Sequence, residues 1–229
     1  MTHPSLLAPP LTILPLENGA RLTRDEFERR YNTMPKVKKA ELIEGIVYIT
    51  SPLKFGNYTK PHTYIMEWLG IYEAATLGVE LSDNVTIRLD GDNELQPEAI
   101  LRLEVGGKSS ISEDDYVEGA PELIVEIIRR SNGRDWQSKR QVYCRNQVQE
   151  YLVWRVDEHQ FDWYHLNDGD YVQFQPNSDG MISSLVFPGL WLDKFSLLAG
   201  DLPRVLAGVR QGLATSEHQI FVQQLIVDS

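Results

Sequence analysis

The stretch PELIVEII, residues 121–128, decides the fold of this 229-residue chain. It is a nearly unbroken run of β-forming apolar residues, which is typical of a central strand covered on both faces. Glu126 is the exception within this run. A buried carboxylate that is ionised and unpartnered costs several kcal/mol, so Glu126 must be paired, protonated or bound to a metal. An ion pair with a nearby arginine and a metal site are both compatible with the sequence.

A second carboxylate precedes this strand in the segment QPEAI, residues 96–100. Pro97 suits the first position of a strand, where no ladder hydrogen bond is lost. It delivers Glu98 to the start of an apolar strand over 98–103. Acids at strand ends are commonly solvated, but here two strands each present one carboxylate. The pair therefore predicts a shared site.

Residues 134–146, which follow the strand, are predicted to form a helix. Asp135, Lys139 and Tyr143 are spaced four apart and would share one face of it. A lysine beside two carboxylates can hold or deprotonate an attacking water and stabilise developing negative charge. Magnesium prefers oxygen ligands, often one or two carboxylates. The alternative is a plain surface ion pair between Asp135 and Lys139.

The N-terminal third predicts an irregular arm followed by a helix and a hairpin. The first twenty residues show no periodicity. Thr23 followed by Glu26 is a capping-box spacing that predicts a helix to about Tyr31. ELIEGIVYIT, residues 41–50, has β-forming residues on both sides of a glycine and predicts a strand or tight hairpin bent at Gly45.

A helix is predicted next, beginning near Pro61 and ending by Gly78, because Ile65, Leu69 and Tyr72 fall on one stripe. Val85, Ile87 and Leu89 then alternate with polar residues, which predicts a strand with one buried face and one wet face. A turn through Gly91 and Asp92 is expected to lead to the strand that begins near Glu98. Strands at 149–156, 161–166 and onward to Leu192, and a closing helix from Ser216, complete the expected elements.

Length and composition predict one globular domain. Hydrophobic residues make up 42% and charged residues 24% of the chain, as in ordinary folded proteins. We expect an arm over 1–20, a domain over 21–200 and a helical tail over 201–229. Cys144 is the only cysteine, so no internal disulfide forms. No apolar run spans a bilayer and the N-terminus lacks signal-peptide features, so we expect a cytoplasmic protein.

The net charge of −11 argues against a polyanionic partner when taken alone. The charge is unevenly distributed, however, and the segment 129–145 is strongly basic. Its bases are Arg129, Arg130, Arg134, Lys139, Arg140 and Arg145, against the single acid Asp135. This cluster is either a phosphate-binding surface beside the candidate site or a solvated helix face.

Taken in order, these motifs resemble the Uma-two-type endonuclease family, formerly catalogued as a domain of unknown function. That family belongs to the PD-(D/E)XK restriction-endonuclease-like superfamily. The resemblance covers roughly 20–195. It rests on ELIEG (41–45), His62, QPEAI (96–100), PELIVEII (121–128), Asp135, Lys139, Tyr143 and VQEYLVW (148–154).

The resemblance implies an α/β core, a mixed curved sheet flanked by helices, and hydrolysis of DNA that depends on Mg²⁺ or Mn²⁺. The metal would be held by Glu98, Glu126 and the Ile127 carbonyl. The lysine of the superfamily normally stands two residues after the strand acid. That position here is Ile128, so the role passes to Lys139.

Further residues receive supporting roles from the same resemblance. Glu41 or Glu44 matches another acid of the family, and His62 matches a frequent helix histidine, for which we favour a helix-cap or core position. Asp135 and Tyr143 flank Lys139 on its helix. Phosphate binding is assigned to three arginines: Arg129, Arg130 and Arg134.

Two departures from the family pattern leave an alternative open. Glu98 stands where the family usually has aspartate, and Arg129-Arg130 replaces a usual serine and proline. The alternative is a catalytically silent nuclease-fold protein that serves as a binding or assembly module. A carbohydrate enzyme with two carboxylates would leave Lys139 without a role. The strand-rich region 149–192 is expected to offer a homodimer surface.

Overall fold

The computed structural model describes residues 13–50, 59–128 and 135–228, without the side chains of Thr50, Asp135 and Asp228. The helices in this part are α1 (Arg24–Tyr31), α2 (Thr59–Ala74), α3 (Asp135–Arg145), α4 (Lys194–Ala199), α5 (Leu202–Leu213) and α6 (Ser216–Asp228). The first strands are β1 (Lys39–Ile43), β2 (Ile46–Thr50), β3 (Val79–Asp83), β4 (Ile87–Asp90), β5 (Asn93–Leu95), β6 (Ala99–Leu103) and β7 (Ser109–Ile111). The others are β8 (Val117–Gly119), β9 (Leu123–Ile128), β10 (Glu150–Arg155), β11 (Gln160–Asn167), β12 (Asp170–Gln173), β13 (Met181–Ser183) and β14 (Trp191–Asp193).

Two six-stranded sheets organise the described chain. The first sheet has the order β2-β1-β5-β4-β8-β7, and the second has the order β12-β11-β10-β9-β6-β3. Strands β13 and β14 form a separate pair. Strand β9 pairs parallel with β10 and antiparallel with β6, so it is central in the second sheet. This confirms the central position that its apolar run predicts.

Successive side chains of β9 point alternately into two separate cores. Val125 and Ile127 face one core, which is closed by α2 and α5 through residues such as Trp68 and Val205. Ile124 faces the other core, which contains side chains from α3 and from the first sheet. Glu126 shares the face of Ile124, because side chains two apart on a strand point the same way. The second core therefore contains the charged strand residue.

The predicted helix starts and hairpin are confirmed. Thr23 caps α1 and accepts a hydrogen bond from the Glu26 backbone N–H at 3.5 Å. Strands β1 and β2 pair as a hairpin whose turn contains Gly45 at a φ of 72°. This is the left-handed region that glycine adopts without strain.

The sequence pattern does not predict several of the short strands. The turn after β4 leads first to β5, and β6 begins only at Ala99. Strands β3, β7 and β8 were also not predicted. Segments of three to five residues carry too little periodicity, because a pairing partner elsewhere in the chain decides their conformation.

The expectation that one face of β4 is exposed to water is wrong. Arg88 lies on that face, yet it is only 8% exposed. Its guanidinium contacts Glu28 of α1 and Asp114, each at 2.9 Å, and lies 3.9 Å from the centre of the Tyr116 ring. Helix α1 and the loop between β7 and β8 bring these partners, which alternation within β4 cannot reveal.

A second buried carboxylate, Glu150, holds a loop against the sheet. It accepts hydrogen bonds from Trp163 Nε1 at 3.1 Å, Ser184 Oγ at 2.9 Å and the Leu185 backbone N–H at 2.8 Å. Burial raises the pKa of Glu150 to about 7, against the effect of these donors. All of these described partners are neutral groups.

None of the described helices is long and apolar enough to cross a membrane. The C-terminal helices instead pack on the domain. Gly212 of α5 lies so close to Gly189 that a Cβ on Gly212 would overlap the Gly189 carbonyl oxygen. The backbone contact therefore requires glycine.

We expect Gly212→Ala to lower the free energy of unfolding by about 1–3 kcal/mol, because the methyl group overpacks a backbone contact. Gly70→Ala in α2 is the matched control. Its Cβ would meet only the Leu81 side chain at 3.9 Å, and it should stabilise by about 0.5–1 kcal/mol. Urea unfolding of both variants measures the difference. Equal effects in the two would contradict the packing of α5.

Candidate active site

Three elements bring charged side chains together between the two sheets. Strand β9 supplies Glu126, β1 supplies Glu41, and α3 supplies Lys139. Along β1, Glu41 and Ile43 share one face and point toward the core that also receives Glu126, whereas Leu42 points to a third core under α1. Alternation thus selects which residues of β1 enter the site.

Lys139 joins the two carboxylates. Its Nζ donates to Glu41 Oε1 at 2.8 Å and to Glu126 Oε1 at 2.9 Å. One turn further along α3, the Tyr143 hydroxyl donates to the same Glu126 oxygen at 2.7 Å. The expected contact of Lys139 with Glu126 is therefore present. The four-residue spacing on α3 explains how both donors reach one acid.

The cluster is almost sealed from solvent. Glu41 is 5%, Glu126 4% and Lys139 4% exposed. Burial raises the pKa of Glu126, with the nearby negative Glu41 adding to this and Lys139 opposing it. Burial also acts to raise the pKa of Glu41, but the positive charges of Lys139 and Lys39 hold it below its ordinary value. Glu41 is thus the firmer counter-ion of Lys139.

Glu98 lies beside Glu126 through strand pairing. Ala99 of β6 is opposite Val125 of β9, and the Glu98 backbone N–H donates to the Val125 carbonyl at 3.1 Å. Glu98 itself stands just before β6, where the paired register with β9 ends, one residue away from Glu126 along β9. The Glu98 side chain is 9% exposed, and its Oε1 lies 3.7 Å from Lys39 Nζ.

The carboxylates retain unused acceptor capacity. The two side-chain donors to Glu126 both contact Oε1, and Glu41 Oε1 accepts from Lys139 and from the Gln96 backbone N–H. Among the described residues, no hydrogen bond is donated to Oε2 of either acid. These oxygens can therefore accept a further ligand.

The other sequence candidates lie elsewhere or outside the described residues. Glu44 is in the β1–β2 turn, where its exposed carboxylate contacts Arg145 at 3.2 Å. His62 of α2 lies 3.8 Å from Asp83, so its described ion-pair partner is not a site acid. Ile127 is buried in β9. Arg129, Arg130, Arg134 and the Asp135 side chain lie outside the described part.

Two site features were missed or left open by the sequence. Glu41 and Glu44 were equal candidates, and only Glu41 joins the cluster. The sequence pattern does not single out Lys39, although it stands two residues before Glu41 and so shares its strand face. Its spacing to Glu41 is the available signal, but the pattern predicts a hairpin that begins only at residue 41.

The described residues of the site supply some, but not all, of the oxygen ligands that a hard divalent cation needs. Within 13–50, 59–128 and 135–228, no group of three or more His, Cys, Asp or Glu side chains is close enough to bind one ion. Glu98, just before β6, and Glu126 of the neighbouring β9 still offer two carboxylates. Magnesium sites often use one or two carboxylates and leave the remaining positions to water and phosphate.

The layered sheets and helices define a mixed α/β fold of the restriction-endonuclease-like class. The family model Uma2, described as "Putative restriction endonuclease", matches residues 24–195. The match spans most of the chain, and the chain belongs to this family. Its membership supports a nuclease role.

A solved structure gives the same architecture. It is described as a putative nuclease belonging to DUF820 from Anabaena variabilis, with 16% sequence identity and a TM-score of 0.56. The alignment covers 74% of this chain and 97% of that one. At this identity, the likeness establishes the fold. No curated protein matches the chain.

We expect Lys139→Met to destabilise the protein by about 3–5 kcal/mol near neutral pH, because Glu41 and Glu126 then share a buried space without a cation. Removal of the cation raises the pKa of both carboxyl groups above the unfolded value of about 4.3. Stability is then retained below that value and lost as pH rises through the folded-state pKa.

The deficit of Lys139→Met should therefore be larger near pH 8 than near pH 5 in urea unfolding. Lys38→Met, at an exposed lysine before β1, serves as control and should change stability by less than about 0.5 kcal/mol. A deficit that is absent, or independent of pH, would show that Lys139 does not neutralise the buried acids.

Proposed function

We propose that this protein is a divalent-metal-dependent endonuclease that hydrolyses DNA phosphodiester bonds. The observation that carries the proposal is the contact of Lys139 Nζ with Glu126 Oε1 at 2.9 Å, inside a cluster with a second buried carboxylate. Perturbed, buried ionisable groups of this kind are concentrated at functional sites. Family membership supports the same activity.

Glu98 and Glu126, together with the Ile127 carbonyl, would hold Mg²⁺ or Mn²⁺. When bound, the ion supplies Lewis-acid stabilisation of the phosphoryl oxygens and lowers the pKa of water. Glu126 suits this role because its Oε2 accepts no hydrogen bond from the described residues. Glu98 keeps its position through the backbone hydrogen bond to β9.

The chain's own residues orient the reaction. Lys139 presents an ammonium that can hold the attacking water and stabilise negative charge as the water oxygen bonds to phosphorus and the ester oxygen leaves. Glu41 and Tyr143 are positioning residues. Glu41 holds the Lys139 ammonium beside Glu126, and Tyr143 fixes the Glu126 carboxylate.

Substrate binding is proposed for Arg129, Arg130 and Arg134, which follow β9 directly in sequence. Arginine contacts phosphate with two parallel hydrogen bonds. A local basic segment is needed because the net charge of −11 opposes non-specific DNA binding. The supporting role of Asp135, the first residue of α3, remains a prediction. The homodimer surface over 149–192 is a prediction as well.

A plasmid-nicking assay tests the activity. We expect the wild type to nick supercoiled DNA with Mg²⁺ or Mn²⁺ and not with EDTA, and Glu126→Gln to lose at least about 100-fold in rate. Lys139 keeps Glu41 as counter-ion in this variant, so the fold should persist. Glu44→Gln is the matched control and should retain wild-type nicking, because Glu44 lies on the exposed turn.

Nicking by Glu126→Gln at the wild-type rate would rule out its catalytic role. A wild type that is folded but never nicks would favour the silent binding or assembly module. The departures at Glu98, Arg129 and Arg130 motivate that second candidate. Thermal unfolding with and without Mg²⁺ then shows whether a protein that does not nick still binds the ion, because binding without cleavage stabilises the native state.

A crystal structure with Mn²⁺ tests the ligands directly. We expect one anomalous peak between Glu98 and Glu126, with their carboxyl groups about 4–6 Å apart and ligand distances near 2.1 Å. A carboxyl separation beyond about 8 Å in the Mn²⁺-soaked crystal would exclude a shared ion. Glu126→Gln crystals soaked in the same way should lose the peak.

A further inference from the structure

Lys39 is a second lysine of the site, and it differs from Lys139 in its surroundings. It is the first residue of β1 and shares the strand face of Glu41. Its side chain is 25% exposed, whereas that of Lys139 is 6% exposed. Lys39 therefore stands at the mouth of the cluster, between the buried acids and solvent.

The two lysines are also held differently. Lys139 makes two hydrogen bonds below 3.0 Å to carboxylates. Lys39 has one ion pair among the described residues, in which its Nζ lies 3.7 Å from Glu98 Oε1. This distance exceeds that of a hydrogen bond, for which about 2.7–3.2 Å is usual. Partly exposed pairs of this kind are weak and easily exchanged.

The charges of the site assign Lys39 to Glu98. Glu41, Glu98 and Glu126 carry three negative charges when ionised, and the two lysines carry two positive charges. Lys139 is fixed by Glu41 and Glu126. Lys39 is thus the cation that neutralises Glu98, the acid that the proposed function assigns to the metal. A divalent ion at Glu98 would compete with the Lys39 ammonium for this carboxylate.

We infer that Lys39 is a displaceable internal cation: it occupies Glu98 in the metal-free protein, and a divalent ion binding at Glu98 releases its ammonium to contact a substrate phosphate. This inference rests on the proposed function and adds a residue to it. A released lysine on the site face of β1 needs a new counter-ion, and a phosphodiester provides one. Lys39 therefore weakens metal binding and strengthens substrate binding.

The test measures Mn²⁺ binding to the DNA-free protein by the loss of the free-ion signal in electron paramagnetic resonance. Lys39→Met keeps most of the apolar side chain and removes its charge, and we expect it to bind Mn²⁺ about two- to fivefold more tightly than wild type. Lys39→Arg should stay close to wild type. Lys38→Met, at the exposed neighbour, is the matched control and should leave the Kd unchanged.

Nicking at saturating Mn²⁺ supplies the second measurement. Lys39→Met should show a higher KM for DNA with a smaller change in kcat, and Lys39→Arg should restore the KM. A merely structural role of Lys39 would instead weaken metal binding and substrate binding together. That outcome would overturn the inference.

The outcomes also separate this inference from the proposed function. Mn²⁺ binding that is lost in Glu126→Gln but unchanged in Lys39→Met overturns the role of Lys39 and leaves the metal site in place. Binding by Lys39→Met alone, with none by wild type, supports Lys39 as the blocking cation. If neither protein binds Mn²⁺ at millimolar concentration, both the metal site and the role of Lys39 are overturned.

Discussion

The burial of the Glu126 carboxylate in a central strand is the constraint on which the rest of the structure depends. The charge lies 4% exposed in a run of apolar residues and must be neutralised in place. Lys139 can do this because α3 packs across β9, and β1 delivers Glu41 as a second carboxylate to the same ammonium. The contacts of Lys139 with Glu41 and Glu126 thereby join α3 to both sheets. The packing of the second core and the geometry of the site are consequences of the same interaction.

Glu150 shows that the fold has another way to bury an acid. Its carboxylate is surrounded by neutral donors from Trp163, Ser184 and the backbone, and it anchors a loop. Glu126 instead lies between a lysine, a tyrosine and neighbouring acids. Neutral donors would have sufficed to satisfy a structural carboxylate. Apolar residues of similar volume would stabilise the core at least as well as the opposed charges at Glu126, which agrees with the proposed role of this cluster as the active site.

Alternation along the sheet separates the larger apolar core from the candidate site. The face of β9 with Val125 and Ile127 packs against α2 and α5 in the larger apolar core, and the opposite face carries Glu126. A change in the register of one residue would exchange the two faces. The architecture is retained in a solved structure with 16% identity, which fits a fold set by pattern while individual side chains vary.

The sequence by itself determined the long, strongly patterned elements: the central strand, the helix of Lys139, the Thr23-capped helix and the hairpin at Gly45. It also singled out Glu126 and Lys139, because a carboxylate in an apolar strand and a lysine at helical spacing are local signals. Only the tertiary structure decided between Glu41 and Glu44, added Lys39 to the site and buried Arg88 among acids. Each of these depends on which distant segment lies opposite, and side-chain periodicity within one element holds no information about its partners.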